Sequence, residues 1–407
     1  MKEVVILSAV RTPIGSIGGT LKDMRPEALL AVAYRAAIDR AGVPGDMIDE
    51  AIAGQAKQTT DAPNIARVSA LTIGLPVQIP AYTVHRQCAS SMQALLNGAQ
   101  QIQCGYSDTV LVGGVESMST APFYVRGARF GVGSGNSALV DPNTESQPRS
   151  QPASIYGAFN MVQTADMVAE RYHISREACD AFAFHSQKKA AAAIEAGRFE
   201  AEIAAVDVPR RKAEPVQFDT DEYPKRDVSL EKMARLPSLF SGGVTTAGNA
   251  SGRNDGAAAI LLMSAEKARS LGLRPLARLI GGAAAGVDPR YMGIAPVAAV
   301  QKLMERLRKT EGLCLQDMGL VELNEAFAAQ SVACINELRL DPELVNVNGG
   351  AIALGHPLGC SGARICTTLL HEMDRRACRY GLATLCVAGG LGMAMAFERM
   401  DTEGRSI

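Results

Sequence analysis

The sequence predicts an α/β protein whose body is a duplicated unit, and three observations carry that expectation. Strand-like and helix-like patterns alternate toward both ends of the chain. The two ends share one order of elements, and a polar stretch of different composition lies between them. At the first end, residues 81–87 (AYTVHRQ) read as a strand that stops at Cys88. A helix follows, because Met92, Leu95, Leu96, Ala99 and Ile102 recur at three-to-four spacing and share one face. An apolar strand over 109–112 comes next, closed by Gly113 and Gly114. At the other end, residues 345–347 read as a short strand and a glycine-rich turn leads to Cys360. Cys366, Leu369, Leu370 and Met373 mark a second helix face, and a strand over 383–387 runs into Gly389 and Gly390.

The middle of the chain reads differently. Residues 127–156 are rich in Gly, Ser, Asn, Pro and Gln with little periodicity, which predicts a binding or lid segment rather than an idle loop. A helical stretch over 161–197 follows, within which residues 173–177 (HISRE) resemble a helix start. A charged region over 210–235 then precedes a glycine-rich stretch over 241–256.

Composition narrows the function classes. The 407 residues are 47% hydrophobic and 20% charged, as in an ordinary globular protein, and the absence of Trp makes the core aliphatic. A net charge of −1 supplies no basic field for nucleic acid, and no Lys/Arg block suggests a membrane-surface anchor. The N-terminus enters a strand (VVILSAV) without a leader pattern, and the last residues, Arg405-Ser406-Ile407, are not the peroxisomal tripeptide. Nine scattered cysteines without a short-spaced framework favour reduced thiols, so a cytoplasmic setting is expected.

Three residues draw attention as chemical groups. Cys88 stands where a strand ends and a helix begins, where backbone N–H groups favour a thiolate; a depressed pKa and a nucleophilic role are expected. The competing reading, a small buried hydrophobe, holds for most single cysteines. His356 sits in the glycine-rich stretch over 348–359, where backbone can approach closely, and suits acid–base or hydrogen-bond work. His173, His185 and His371 read as surface residues of helical surroundings, and His85 as packing. Cys386 ends the last strand and opens into glycines, where a side chain can face a cleft. Paired C-x-x-C spacing is missing, so no metal site is expected, and no strand–GxGxxG–helix pattern supports a dinucleotide loop.

Six stretches together resemble the motif set of the thiolase family: HRQCASSMQA at 85–94, GGVESMS at 113–119, TAGNASG at 246–252, NEAFA at 324–328, GHP at 355–357 and CVAGG at 386–390. They stand in the family's order across nearly the whole chain. The resemblance implies a thiolase-like fold of two βαβαβαββ halves in five-layered α/β/α/β/α packing with an inserted loop domain. It divides the chain into a first half (1–120 with 254–274), a coenzyme A-binding loop domain (121–253) and a second half (275–407). It also implies roles: Cys88 as the acyl-accepting nucleophile, and Cys386 as the acid/base at the acetyl α-carbon. His356 with a water held by Asn324 would form one oxyanion hole, and the backbone N–H groups of Cys88 and Ala388 another. Met161, Phe240, Ala250 and Ser251 would line the pantetheine tunnel, with Lys225 near the nucleotide. Met292, Phe327 and Asn160 would border the acyl group.

The implied activity is CoA-dependent cleavage of 3-oxoacyl-CoA, and the reverse condensation, as in fatty acid β-oxidation. No cofactor is expected, since coenzyme A is a substrate, and a homodimer or homotetramer is the expected assembly. Three departures matter. Ala388 stands where the family has glycine, Asn160 stands where biosynthetic members carry histidine, and residues 126–156 form a longer segment than in that subgroup. The last two favour a degradative 3-oxoacyl-CoA thiolase over an acetyl-CoA C-acetyltransferase restricted to acetoacetyl-CoA. Cys386 argues against a decarboxylating condensing enzyme, and retention of Cys88, His356 and Cys386 together argues against a non-catalytic CoA- or lipid-binding relative.

Overall fold

The computed structural model describes residues 1–210 and 212–400. The C-terminal tripeptide considered above lies outside the described residues. The strands are β1 (Val4–Arg11), β2 (Gly15–Ser16), β3 (Glu50–Gly54), β4 (Ala81–Val84), β5 (Thr109–Ser117), β6 (Val206–Arg210), β7 (Ala213–Phe218), β8 (Asn254–Ser264), β9 (Ala277–Gly286), β10 (Leu320–Leu323), β11 (Tyr380–Val387) and β12 (Leu391–Arg399).

Ten of them form one sheet in the order β4-β3-β5-β8-β1-β9-β12-β11-β10, with β2 paired to β8. The order is nearly symmetric about the antiparallel β1–β9 contact. On each side the inner strands run antiparallel, and the outer pairs, β3 with β4 and β5, and β10 with β11, run parallel. β6 and β7 make a separate hairpin. β6 alternates buried Val206 and Val208 with exposed neighbours, whereas β7, inside the charged stretch, is exposed over most of its length and shows little alternation.

Period-two side chains explain the layering. Along β8, Ala258, Ile260 and Leu262 join a core shared with the helices Ser90–Cys104 and Leu358–Arg375, while Ala257, Ala259, Leu261 and Met263 face the helix Pro26–Ala41. Along β12, Met393, Met395 and Phe397 face the same central core, and Ala394 and Ala396 face the helix Ala295–Thr310. The two central helices are thus sandwiched by the two halves of the sheet, which outer helices cover in turn. This is the expected five-layered α/β/α/β/α packing. Each fully buried Leu, Ile, Met or Phe contributes about 1.5–3 kcal/mol, so strands buried on both faces are secured from both sides.

Several elements differ from the sequence expectation. The strand leading to Cys88 ends at Val84, because Gln87 adopts the left-handed region (φ 45°). Residues 345–347 form no strand; Val345 makes one parallel bridge to Val321 of β10, a strand the pattern did not signal. Gly113 and Gly114 do not close a strand either, since β5 runs through them to Ser117. A Cβ at Gly114 would lie 2.3 Å from Gly359 O, so glycine serves close helix–sheet approach there, not a turn. The stretch over 161–197 is two helices, Met161–Arg171 and Arg176–Glu195; the second begins within the expected 173–177 segment and is capped by Ser175.

The polypeptide between β5 and β8 is fastened to the body by a buried ion cluster. Arg11 of β1 pairs with Asp221 at 2.7 Å and with Glu202 at 2.5 Å. Among the described residues no helix is long and apolar enough to cross a membrane.

Candidate active site

Cys88 lies two residues before the helix Ser90–Cys104, on a turn that the backbone makes with effort. Left-handed geometry at a non-glycine residue costs on the order of 1 kcal/mol or more, and Gln87 is held in it by local bonds. The Gln87 amide donates to Ser150 Oγ (2.9 Å), and Ser90 Oγ both accepts from Arg86 N and donates to Gln87 O. The result presents Cys88 to a cavity of about 510 Å³.

Three other segments deliver groups to that cavity: His356 from the loop before the helix Leu358–Arg375, Cys386 and Ala388 from the end of β11, and Ala250 and Ser251 from the glycine-rich arm. The arm is paired to the second half, since Ser251 N donates to Ala326 O (3.0 Å) and Ala250 bridges Phe327. Met161, Met292 and Phe327 complete the apolar side, and Asn160 lines the cavity beside them. Asn160 also caps its helix, with Oδ1 accepting from Gln163 N (3.0 Å) and its own N–H donating to Gln163 Oε1 (2.9 Å).

Burial pushes the Cys88 thiol up to about 11, against the N–H of Ala388, the Lys57 charge and its own N–H, which pull it down. This overturns the expected low pKa: desolvation outweighs the donors, and Cys88 lies just ahead of the helix rather than on its first turn. The Ala388 N–H nevertheless points at the sulfur. Alanine carries no conformational penalty here, because Gly389 (φ 90°) and Gly390 (φ 78°) take the left-handed positions of the turn.

His356 is buried, and burial followed by the Arg364 charge pushes it down to about 3, so the ring is neutral at physiological pH. Its backbone N–H donates to Asn254 Oδ1 (3.0 Å), and Nδ1 lies 2.6 Å from Ser361 Oγ. Ser361 gives its one proton to Pro357 O (2.9 Å), which obliges Nδ1–H to donate to Oγ and leaves Nε2 with its lone pair. Burial, and then the neighbouring Cys88, raise Cys386 well above the ordinary thiol range, so it stays protonated at neutral pH.

Asn324 does not line the cavity. It is fully buried behind it, and neither side-chain amide atom has a hydrogen-bond partner among the described residues. Phe240 also stands outside, half-exposed beside a separate surface depression, and Leu239 lines the cavity in its stead. Lys225 is exposed and stacks over the Tyr223 ring at 4.8 Å; Tyr223 is the cavity-lining partner of the two. Of the remaining histidines, His173 occupies a left-handed turn and His85 is exposed rather than packed. His371 is half-buried, with Nε2 2.8 Å from Ala9 O.

Gln330 escaped the sequence reading. Oriented to satisfy its neighbours, its amide nitrogen donates to Asn324 O (3.2 Å) and its oxygen accepts from Ser331 N (2.8 Å). That nitrogen stands 3.2 Å from Cys386 Sγ. Its place in the first turn of the helix that begins at the end of the NEAFA stretch was the available signal. Lys57, Ser361 and Arg364 were missed as well, since nothing local marks a buried polar residue inside an apolar pattern. Among the described residues no group of three or more His, Cys, Asp or Glu side chains converges to hold a metal.

Comparison with known proteins identifies the family. A family model described as thiolase, N-terminal domain, matches residues 4–266, and one described as thiolase, C-terminal domain, matches residues 273–399. An acetyl-CoA acetyltransferase of Pseudomonas aeruginosa is 47% identical over 403 residues, covering 98% of this chain and all of that one. A probable acetyl-CoA acyltransferase of Staphylococcus aureus is 45% identical over 400 residues, again 98% of this chain and all of its own length. Among solved structures, the Bacillus anthracis acetyl-CoA acetyltransferase superposes with TM-score 0.94 at 44% identity, covering 98% and 99% of the two chains. Human mitochondrial 3-ketoacyl-CoA thiolase in complex with CoA gives 0.92 at 39% identity, covering 98% of each. Matched by family models along almost its whole length and by full-length relatives, the chain belongs to the thiolase family.

Proposed function

We propose that this thiolase cleaves 3-oxoacyl-CoA with coenzyme A to give acetyl-CoA and a shortened acyl-CoA, and catalyses the reverse condensation, through an acyl-Cys88 intermediate. The observation that carries the reading is the single cavity shared by Cys88, His356 and Cys386, with the Ala388 N–H on the Cys88 sulfur. His356 Nε2 accepts the thiol proton as Cys88 Sγ attacks the C3 carbonyl. The resulting imidazolium, with a water on the Asn324 amide, faces one developing oxyanion, and the N–H groups of Cys88 and Ala388 face the other. The C2–C3 bond breaks, and the enolate of acetyl-CoA takes its proton at C2 from Cys386, whose raised pKa keeps it in the donor state. The thiol of incoming CoA then gives its proton to the Cys386 thiolate and attacks the acyl-Cys88 carbonyl; the tetrahedral intermediate collapses with cleavage of the Cys88–acyl bond, the shortened acyl-CoA leaves, and the Cys88 thiolate takes back the proton held on His356.

Met161, Ala250 and Ser251 are suited to border the pantetheine arm, while Tyr223 with Lys225 offers a stacked cation near the entrance. No cofactor enters this scheme. A homodimer or homotetramer in the cytoplasm fits the free cysteines and the exposed apolar side chains of Phe123, Phe130 and Ile155.

A second reading, an acetyl-CoA C-acetyltransferase confined to acetoacetyl-CoA, is favoured by the names of the P. aeruginosa and B. anthracis relatives. Asn160 and the long segment 126–156 favour the broader substrate range. Cleavage rates over a series from 3-oxobutanoyl- to 3-oxododecanoyl-CoA decide between them: activity extending past the shortest member supports the proposal, and activity confined to it supports the second reading.

A further inference from the structure

We propose that Lys57 is a positioning residue whose buried ammonium fixes residues 142–147 as a wall of the substrate cavity, and that this wall sets which 3-oxoacyl chains fit beside Cys88. The inference rests on the thiolase reaction proposed above and adds a determinant of its chain-length selectivity.

Lys57 follows β3 on a bend and is 5% exposed. Its Nζ donates to Pro142 O (2.7 Å), to Gln147 Oε1 (2.8 Å) and to Ser146 Oγ. An ammonium has three protons, so one short segment uses them all. A buried cation is costly unless every proton is met, which means that this segment cannot drift away without exposing an unmet charge. Burial lowers the Lys57 pKa, while the neighbouring Glu116 and Cys88 oppose that shift.

The tethered segment is the cavity wall itself. Asn143, Thr144, Gln147 and Pro148 line the same space as Cys88, His356 and Cys386. Gln147 does both jobs, accepting from Lys57 and facing the cavity. Just beyond, Ser150 accepts from the Gln87 amide, and a Cβ at Gly389 would come within 2.9 Å of Ser150 O. The wall therefore rests on the turns that carry Cys88 and Ala388.

The other end of the tether is equally fixed. Glu116 accepts from Ala56 N (3.0 Å), Lys57 N (3.0 Å) and Gly359 N (2.9 Å), joining the Lys57 backbone to β5 and to the start of the His356 helix. Lys57 thus spans from catalytic scaffold to pocket wall. A lysine that served only stability would spread its bonds over the body of the sheet; all three reach instead into residues 142–147.

The test is Lys57→Met, which keeps the unbranched stem to within one atom and removes its donors. Amide hydrogen exchange in residues 142–151 should rise by about tenfold or more, the value of a hydrogen bond to a charged group, with β5 and β8 unchanged. Relative kcat/KM between 3-oxobutanoyl- and 3-oxododecanoyl-CoA should shift by about tenfold. A variant in which all chain lengths lose activity in parallel, with exchange of the segment unchanged, overturns the inference. Should Lys57→Met fail to fold, Gln147→Leu removes one acceptor at similar volume and should shift the same profile by a smaller factor; a parallel profile there overturns it equally. Absence of cleavage by the unmodified enzyme would refute the proposed reaction, while the exchange measurement would still judge the tether.

Discussion

Each half carries a turn, a central helix and a following strand, with a cysteine near the start of the helix, and the two cysteines have different surroundings. In the first half, the left-handed Gln87 swings the turn so that Cys88 faces the cavity. In the second, the turn bends at Gly355, where a Cβ would meet Asn254 at 2.5 Å, and the residue presented to the cavity is His356. Cys360 falls inside the helix, 1% exposed within the central core, and burial pushes its thiol up to about 12. The glycine pairs diverge in the same way. Gly113 and Gly114 lie within a strand and make room for a helix, whereas Gly389 and Gly390 form the turn that brings Ala388 N–H to Cys88. Duplication preserved the scaffold, and small differences at the turns distributed distinct chemical groups around one cavity.

The sharpest way to break this comparison is to remove each cysteine. Cys88→Ala should abolish acyl-enzyme formation and lower turnover by on the order of 10⁴-fold or more, as loss of a covalent nucleophile does. Cys360→Ala should leave an acylated protein detectable by mass spectrometry and cost about 1 kcal/mol of stability through a small cavity. The reverse pattern would show the halves to be exchanged in function.

Cys386→Ala sharpens the division of roles. Acylation of Cys88 from an acyl-CoA should survive, since it needs no carbon acid. Exchange of the acetyl-CoA α-protons with heavy water, followed by NMR, should fall by about 10²–10⁴-fold. Exchange at the unmodified rate would make Cys386 a structural residue and move the carbon acid–base to His356.

The glycine pairs give an intermediate effect. Gly114→Ala inserts a Cβ against Gly359 O and Ser91 Cβ and should cost about 1–3 kcal/mol of unfolding free energy. Gly389→Ala meets a left-handed backbone as well as Ser150 O; it should cost about 1 kcal/mol in stability but lose more in turnover, because it moves the Ala388 N–H. Denaturant titration beside steady-state rates separates the two. Equal ratios of activity to stability loss would mean that both glycines serve packing alone.

The smallest effect concerns protonation. With Cys88 raised to about 11, its thiolate fraction grows about tenfold per pH unit below that value. Iodoacetamide alkylation of Cys88 in the free enzyme should therefore climb steadily from pH 7 to pH 10, and bound acyl-CoA should block it. A rate already level at pH 7 would reveal a standing thiolate paired with imidazolium, contrary to the neutral His356 described above.

Sequence by itself determined a good deal. Periodic apolar residues fixed the central helices, because 3.6- and 2-residue repeats are local properties of the chain. The six ordered motifs marked Cys88, His356 and Cys386, which meet in one cavity. Tertiary structure alone decided the rest. Whether Gly113–Gly114 was a turn or a close approach depended on Gly359, far along the chain. The protonation of Cys88 depended on how deeply the cavity desolvates it, which no local helix rule reports. Asn324 behind the cavity, Gln330 beside Cys386, and Lys57 on residues 142–147 become visible only when distant segments pack. Burial and hydrogen-bond partnership are properties of space, and a linear pattern records them only where both partners lie within a few residues.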